Sequence, residues 1–140
     1  MNRKYPLKTS YNWRGAVAEL LARFHVKAYA SRSKSYFKSD WMPERYNEFL
    51  SVFWSSIDLF KLNENGILEL FEVKTIVDNV KRIPDITRKT NFCYNKAIGL
   101  GIKVFVIFVS FHDDWNIFFE IKNFEDVKFR VNNGGWYRRK

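Results

Sequence analysis

The sequence predicts an α/β fold in a single domain spanning residues 1–140, with an N-terminal helix, a β-hairpin, a crossover helix and a mixed central sheet. Three observations carry this. The hydrophobic period changes from helical to strand-like near Ser55. Asn63-Glu64-Asn65-Gly66 separates two stretches rich in strand formers, which is a hairpin signal. A helical stretch then leads into the continuous apolar segment KVFVIFVSF, Lys103 to Phe111, as expected of a strand covered on both faces. Strand, helix and buried strand form a βαβ unit, for which a right-handed crossover is expected.

Taken in order, Ser10 to Ala30 reads as a helix. Val17, Leu20, Leu21, Phe24 and Ala28 recur at three- and four-residue spacing, and Ser10 or Asn12 is the candidate cap. Ser31 to Asp40 is polar and basic and reads as a loop. Pro43 suits the first turn of a short helix running to about Phe53, capped by Asp40. Ser55 to Leu62 and Ile67 to Ile76 are the hairpin arms, and Val77 to Asp85 is a polar connection. A second long helix is expected from Ile86 to Leu100, closed by Gly101. Two further strands, near Asn116 to Ile121 and Asp126 to Val131, are expected to extend the sheet.

The 140 residues suffice for one core, and the ordinary share of hydrophobic residues, 46%, excludes disorder and low complexity. Lys and Arg number 24 against 15 Asp and Glu, a net charge of +9, which suggests a polyanionic partner: nucleic acid first, a membrane surface second. The charge is uneven. Residues Met1 to Tyr46 hold ten Lys or Arg and three acids, whereas the remainder holds fourteen and twelve. The single cysteine, Cys93, cannot form an internal disulfide and reads as a core residue. His25 and His112 lack the Cys/His spacing of a zinc site, and His112 reads as a rim residue. The longest aliphatic-aromatic run, Val104 to Val109, is far short of the roughly 20 residues that cross a bilayer, so a cytoplasmic protein without a membrane partner is expected.

The informative stretch is Asp58 to Lys74. Strand alternation puts Glu72 and Lys74 on one face. The turn decides whether Asp58 joins them. A two-residue Asn65-Gly66 turn would set Asp58 opposite Val73. A three-residue loop, Glu64-Asn65-Gly66 with Gly66 left-handed, sets Asp58 opposite Glu72 and is the common three-residue hairpin. The second register brings two carboxylates together at a cost on the order of 1–4 kcal/mol at ~4 Å. A divalent cation offsets that cost, and hard oxygen ligands suit Mg²⁺ or Mn²⁺. The Lys74 ammonium could orient an attacking water or steady charge on a phosphate. An outward-facing, salt-bridged hairpin is the competing reading. Acid-x-Lys recurs at Glu120-Ile121-Lys122 and Asp126-Val127-Lys128, but neither has a suitably placed upstream acid. Glu19 lies one turn after Gly15, a helical glycine that is expected to mark close approach of another backbone and to let Glu19 point at the hairpin acids.

A basic-Gly-x-x-x-Glu first helix, a hairpin carrying Asp and then Glu-x-Lys, and a helix leading into a buried strand resemble the PD-(D/E)XK nuclease superfamily. Within it, the arrangement is similar to the small archaeal Holliday junction resolvases and related viral or plasmid nucleases. The resemblance covers roughly Asn12 to Phe111 and rests on order and spacing. It implies a restriction-endonuclease-like core and metal-dependent hydrolysis of a DNA phosphodiester, leaving a 5′-phosphate. By it, Glu19 matches the helix acid, Asp58 the motif aspartate, Glu72 the metal-binding acid and Lys74 the motif lysine, and the backbone carbonyl of Val73 completes the metal shell. Ile57 stands where proline is nominal. The chain has no glutamine for the helix after the lysine, so Lys89 is the candidate there, with Asn91 and Asn95 behind it.

The leading expectation is therefore a Mg²⁺- or Mn²⁺-dependent DNA endonuclease, with structure-specific cleavage as one option. Glu19, Asp58, Glu72 and Lys74 would be catalytic, and Arg14, Lys34, Lys38 and Lys89 would contact phosphates. Cutting two symmetric strands would imply a two-fold homodimer. The alternative is a non-catalytic, basic nucleic-acid-binding domain of the same fold, whose acids merely pair with lysines.

Overall fold

The computed structural model describes residues 11–30, 41–77, 83–112 and 116–133. In chain order the elements are α1 (Tyr11–Val26), β1 (Tyr29–Ala30), α2 (Glu44–Phe53), β2 (Leu59–Leu62), β3 (Leu68–Val77), β4 (Asp85–Thr87), α3 (Arg88–Gly99), β5 (Lys103–Phe111), β6 (Ile117–Asn123) and β7 (Arg130–Asn132). The central sheet has the order β1-β2-β3-β5-β6. β3 and β5 run parallel, and the other neighbours are antiparallel, so the sheet is mixed. The parallel pair is joined through α3, as the crossover pattern requires.

β5 shows why the segment 103–111 is apolar without interruption. Val104 and Val106 enter one core, with Leu68, Leu70, Phe49, Leu50, Tyr94 and Ala97. Ile107, Val109 and Phe111 enter the other, with Ala18, Ala22, Leu59 and Phe71. The sheet is thus covered by α1 on one side and by α2 and α3 on the other. Among the described residues, no helix is long and apolar enough to cross a membrane.

Several elements differ from expectation, each for a local reason. The first helix stops at Val26 rather than Ala30. Lys27 takes a left-handed conformation (φ 58°), the Ala28 N–H donates to the Arg23 carbonyl at 3.0 Å, and the chain turns into β1 against Phe60 and Leu59. Pro43 is the N-cap of α2 rather than a first-turn residue, and among the described residues no side chain caps that helix; the expected cap, Asp40, lies outside them. The first hairpin arm starts at Leu59 rather than Ser55, because Trp54–Ser56 forms a 3-10 turn. Residues 85–87 are strand β4, so α3 begins at Arg88, where the Thr87 hydroxyl accepts from the Thr90 N–H at 3.1 Å. The last strand does not extend the central sheet: β7 pairs with β4 in a separate two-stranded ribbon. Gly15 is exposed, and among the described residues a methyl group placed there would meet nothing within 4 Å, so it marks no close approach of their backbone. Ala18 and Ala22, both fully buried, occupy the face of α1 that meets the sheet.

Candidate active site

The hairpin loop sets the register. The Asn63 side-chain oxygen accepts from the Asn65 N–H (2.8 Å) and the Ile67 N–H (3.0 Å), and the Gly66 N–H donates to the Asn63 carbonyl at 3.0 Å. Gly66 is left-handed at φ 75°, which closes a three-residue loop. The ladder then pairs Leu62 with Leu68 and Leu59 with Phe71. One further step along the same register sets Asp58 across from Glu72, the arrangement that the three-residue loop predicts.

Asp58 lies just before β2, where the backbone ladder has ended. Its Oδ2 accepts the Val73 N–H at 2.8 Å, so a carboxylate takes the place of the next strand residue along the β3 edge. A strand residue turns its N–H and C=O to the same edge, so the Val73 carbonyl faces the Asp58 side as well. Glu72 is 8% exposed. Its Oε1 accepts from the Tyr94 hydroxyl at 2.7 Å, and its Oε2 lies 3.3 Å from the Lys74 ammonium. Lys74 also donates to the Asp85 carbonyl at the start of β4. From the opposite layer, Glu19 of α1 hydrogen-bonds to Asp58. Two carboxyls can do so only while one of them holds a proton.

The Asp58 carboxyl is pushed from its ordinary 3.8 up to about 7. Burial is the main cause and the Glu72 charge the second; the Val73 N–H, the Lys74 ammonium and the Glu19 hydrogen bond pull the other way. Burial, then the Glu72 charge, lifts the Tyr94 hydroxyl well above its ordinary value, so it remains a donor.

Glu19, Asp58, Glu72 and Lys74 thus form one connected group. Among the described residues, no three His, Cys, Asp or Glu side chains are already gathered at metal-ligand spacing, and here the carboxylates are held by protein partners. Lys89 is exposed in the first turn of α3, near enough to Cys93 to act on its thiol. Arg14 is on α1, with its side chain outside the described residues, as are Lys34 and Lys38. Cys93 is buried and its thiol is pushed up to about 12, first by burial, as suits a core residue.

The other acid-x-Lys copies are different in kind. Glu120 and Lys122 pair at 3.7 Å with both side chains largely in solvent, and exposed Asp126 meets the Asn123 amide at 3.5 Å. Sequence reasoning missed Tyr94 and Asp85. The available signal for Tyr94 was a tyrosine beside Cys93 and Ala97 on the buried side of the crossover helix, since a buried hydroxyl needs a partner. A cavity of about 350 Å³ opens elsewhere, lined by His25, Lys27, Lys61, Glu69 and Phe105, and includes none of the four residues.

Compared with family models, with curated proteins and with solved structures, the chain matches none.

Proposed function

We propose that this protein is a divalent-metal-dependent DNA endonuclease with a restriction-endonuclease-like core. The observation that carries the reading is the half-buried Asp58 beside the buried Glu72, with Glu19 in reach and Lys74 alongside. Burying like charges together is unfavourable unless a proton or a cation joins them. The donor set fits Mg²⁺ or Mn²⁺: carboxylate oxygens of Asp58 and Glu72, the Val73 carbonyl at the same edge, and Glu19 to supplement them. When bound, such an ion supplies Lewis-acid polarisation of a phosphoryl oxygen and acidifies water.

The chain's own residues do the rest. Tyr94 fixes the Glu72 carboxylate. Asp58, once deprotonated, remains anchored by the Val73 N–H. Lys74 can leave Glu72 to orient the attacking water or to steady charge on the phosphate, while the Asp85 carbonyl keeps its ammonium near. Water oxygen bonds to phosphorus, the bond from phosphorus to the 3′ oxygen breaks, and the products carry a 5′-phosphate and a 3′-hydroxyl. The net charge of +9 suits a DNA partner.

The 3.3 Å contact between Glu72 and Lys74 also suits a non-catalytic DNA-binding domain, in which the acids only neutralise the lysine. Cleavage of linear, single-stranded, nicked and four-way-junction DNA with Mg²⁺, Mn²⁺ or EDTA separates the two. The nuclease reading expects metal-dependent cutting that Asp58→Ala and Glu72→Ala abolish. DNA binding that survives chelation, with no cutting of any substrate, favours the second reading.

A further inference from the structure

β6 is the last strand of the central sheet, and its sequence is self-complementary. The His112 N–H donates to the Asn116 carbonyl at 3.1 Å, just beyond the Phe111–Ile117 pair. Hydrogen-bonded pairs alternate along an antiparallel ladder. Ser110–Phe118, Phe108–Glu120 and Val106–Lys122 are therefore the hydrogen-bonded pairs between β5 and β6. The N–H and C=O groups of Ile117, Phe119, Ile121 and Asn123 consequently point to the outer edge. Among the described residues no strand lies beyond that edge.

The edge is also apolar. Ile117, Phe118 and Ile121 are 38%, 54% and 44% exposed. His25 of α1 stacks on Phe119 with ring centroids 4.0 Å apart, and the preceding Phe24 is itself exposed. A long apolar edge strand invites pairing with another chain. Glu120 and Lys122 decide which chain, because they flank Ile121 on the same face of the strand.

We propose that β6 pairs antiparallel with β6 of a second copy of this chain, on a two-fold axis at Ile121, joining the two central sheets edge to edge. In this register each Glu120 faces the partner's Lys122, and each Lys122 faces the partner's Glu120. The two Ile121 residues exchange both backbone hydrogen bonds, and Phe119 does the same with the partner's Asn123. An axis at Phe119 also uses outward-pointing groups, but it sets Glu120 against the partner's Phe118 and leaves both charges unmatched. An axis at Glu120 opposes like charges and uses groups already bonded to β5. The two-fold contact closes on itself, so it yields a dimer rather than a fibre. The inference rests on β6 alone and stands apart from the proposed chemistry.

The test is the mass of the full chain in solution by sedimentation equilibrium, with circular dichroism to verify folding. Wild type should be a dimer. Glu120→Lys and Lys122→Glu should each raise the dimer dissociation constant roughly tenfold or more, since like charges then oppose twice across the axis. The double reversal, Glu120→Lys with Lys122→Glu, should restore wild-type association. Ile121→Pro removes an N–H that points outward, so it should yield a folded monomer; if that variant unfolds, the charge series decides. Mild oxidation of Ile121→Cys should link two copies, because directly opposed hydrogen-bonded residues have Cα atoms about 5.5 Å apart, within disulfide reach. A monomeric wild type, association indifferent to the single reversals, no rescue by the double reversal, or faster linkage through Phe119→Cys than through Ile121→Cys would overturn the proposal.

Discussion

Replacing Asp58 with asparagine should stabilise the metal-free protein at alkaline pH, even though it removes a proposed catalytic group. Asparagine keeps an oxygen to accept the Val73 N–H, which sits 2.8 Å from the carboxylate, and removes the charge that burial and Glu72 oppose. Because the folded Asp58 carboxyl titrates near 7 rather than 3.8, folding takes up a proton between those values, and wild-type stability falls as pH rises through that window. At about 1.4 kcal/mol per pKa unit, the full penalty above pH ~7 is on the order of 4 kcal/mol. Part of the Asp58 surface still reaches water, so roughly 1–3 kcal/mol is the realistic gain, or about 3–10 °C in Tm for a domain of this size. The assay is thermal unfolding followed by circular dichroism in EDTA, from about pH 4 to about pH 9. The two proteins should melt nearly together at about pH 4, separate as pH climbs from there to about 7, and keep a constant gap above that. Added Mg²⁺ should raise the wild-type Tm at alkaline pH and leave the variant unmoved. An asparagine variant that is less stable at alkaline pH, or a gap that is the same at every pH, would refute the electrostatic reasoning.

Tyr94→Phe removes the hydroxyl that donates to Glu72 at 2.7 Å and leaves a buried carboxylate oxygen unpaired, so urea unfolding should show a loss of about 1–3 kcal/mol. The same variant should need more Mg²⁺ for half-maximal cleavage. Lys74→Ala should lower the cleavage rate by roughly a hundredfold or more while DNA affinity, read by fluorescence anisotropy, changes little. Two glycines should respond in opposite senses. Gly15→Ala, at an exposed helical site with open space around it, should raise stability by about 0.5–1 kcal/mol. Gly66→Ala, at φ 75°, should lower stability by about 1–2 kcal/mol although no atom obstructs the added methyl. Differential scanning calorimetry reads both.

What could be read from the chain divides by the range of the interactions involved. The hairpin register follows from local chemistry: Asn63 can wrap the loop, Gly66 can be left-handed, and these fix the relation of Asp58 to Glu72. β5 was visible to its terminal residues because both of its faces are buried. β1, β4 and β7 are two- or three-residue strands held by partners distant in sequence, and so short a strand has no period to detect. Gly15 misled because the close packing of α1 comes from Ala18 and Ala22, and alanine in a helix draws no notice. Glu19 still meets Asp58, but for a different reason from the one its spacing to Gly15 suggested. Tyr94 and Asp85 escaped because their roles exist only once α3 and β4 have folded against β3.

The small β4–β7 ribbon ties the far end of the chain to the aim of Lys74. The carbonyl that holds this lysine belongs to Asp85. Arg130 secures that corner at two adjacent residues: its backbone N–H donates to the Pro84 carbonyl at 2.8 Å, and its guanidinium binds the Asp85 carboxylate at 2.7 Å, holding that acid below its ordinary range. A polypeptide ending at Lys128 would retain all four clustered side chains and most of both cores. It would lose the brace behind the lysine, and the ammonium would be free to settle onto Glu72, quenching the carboxylate that it otherwise shares.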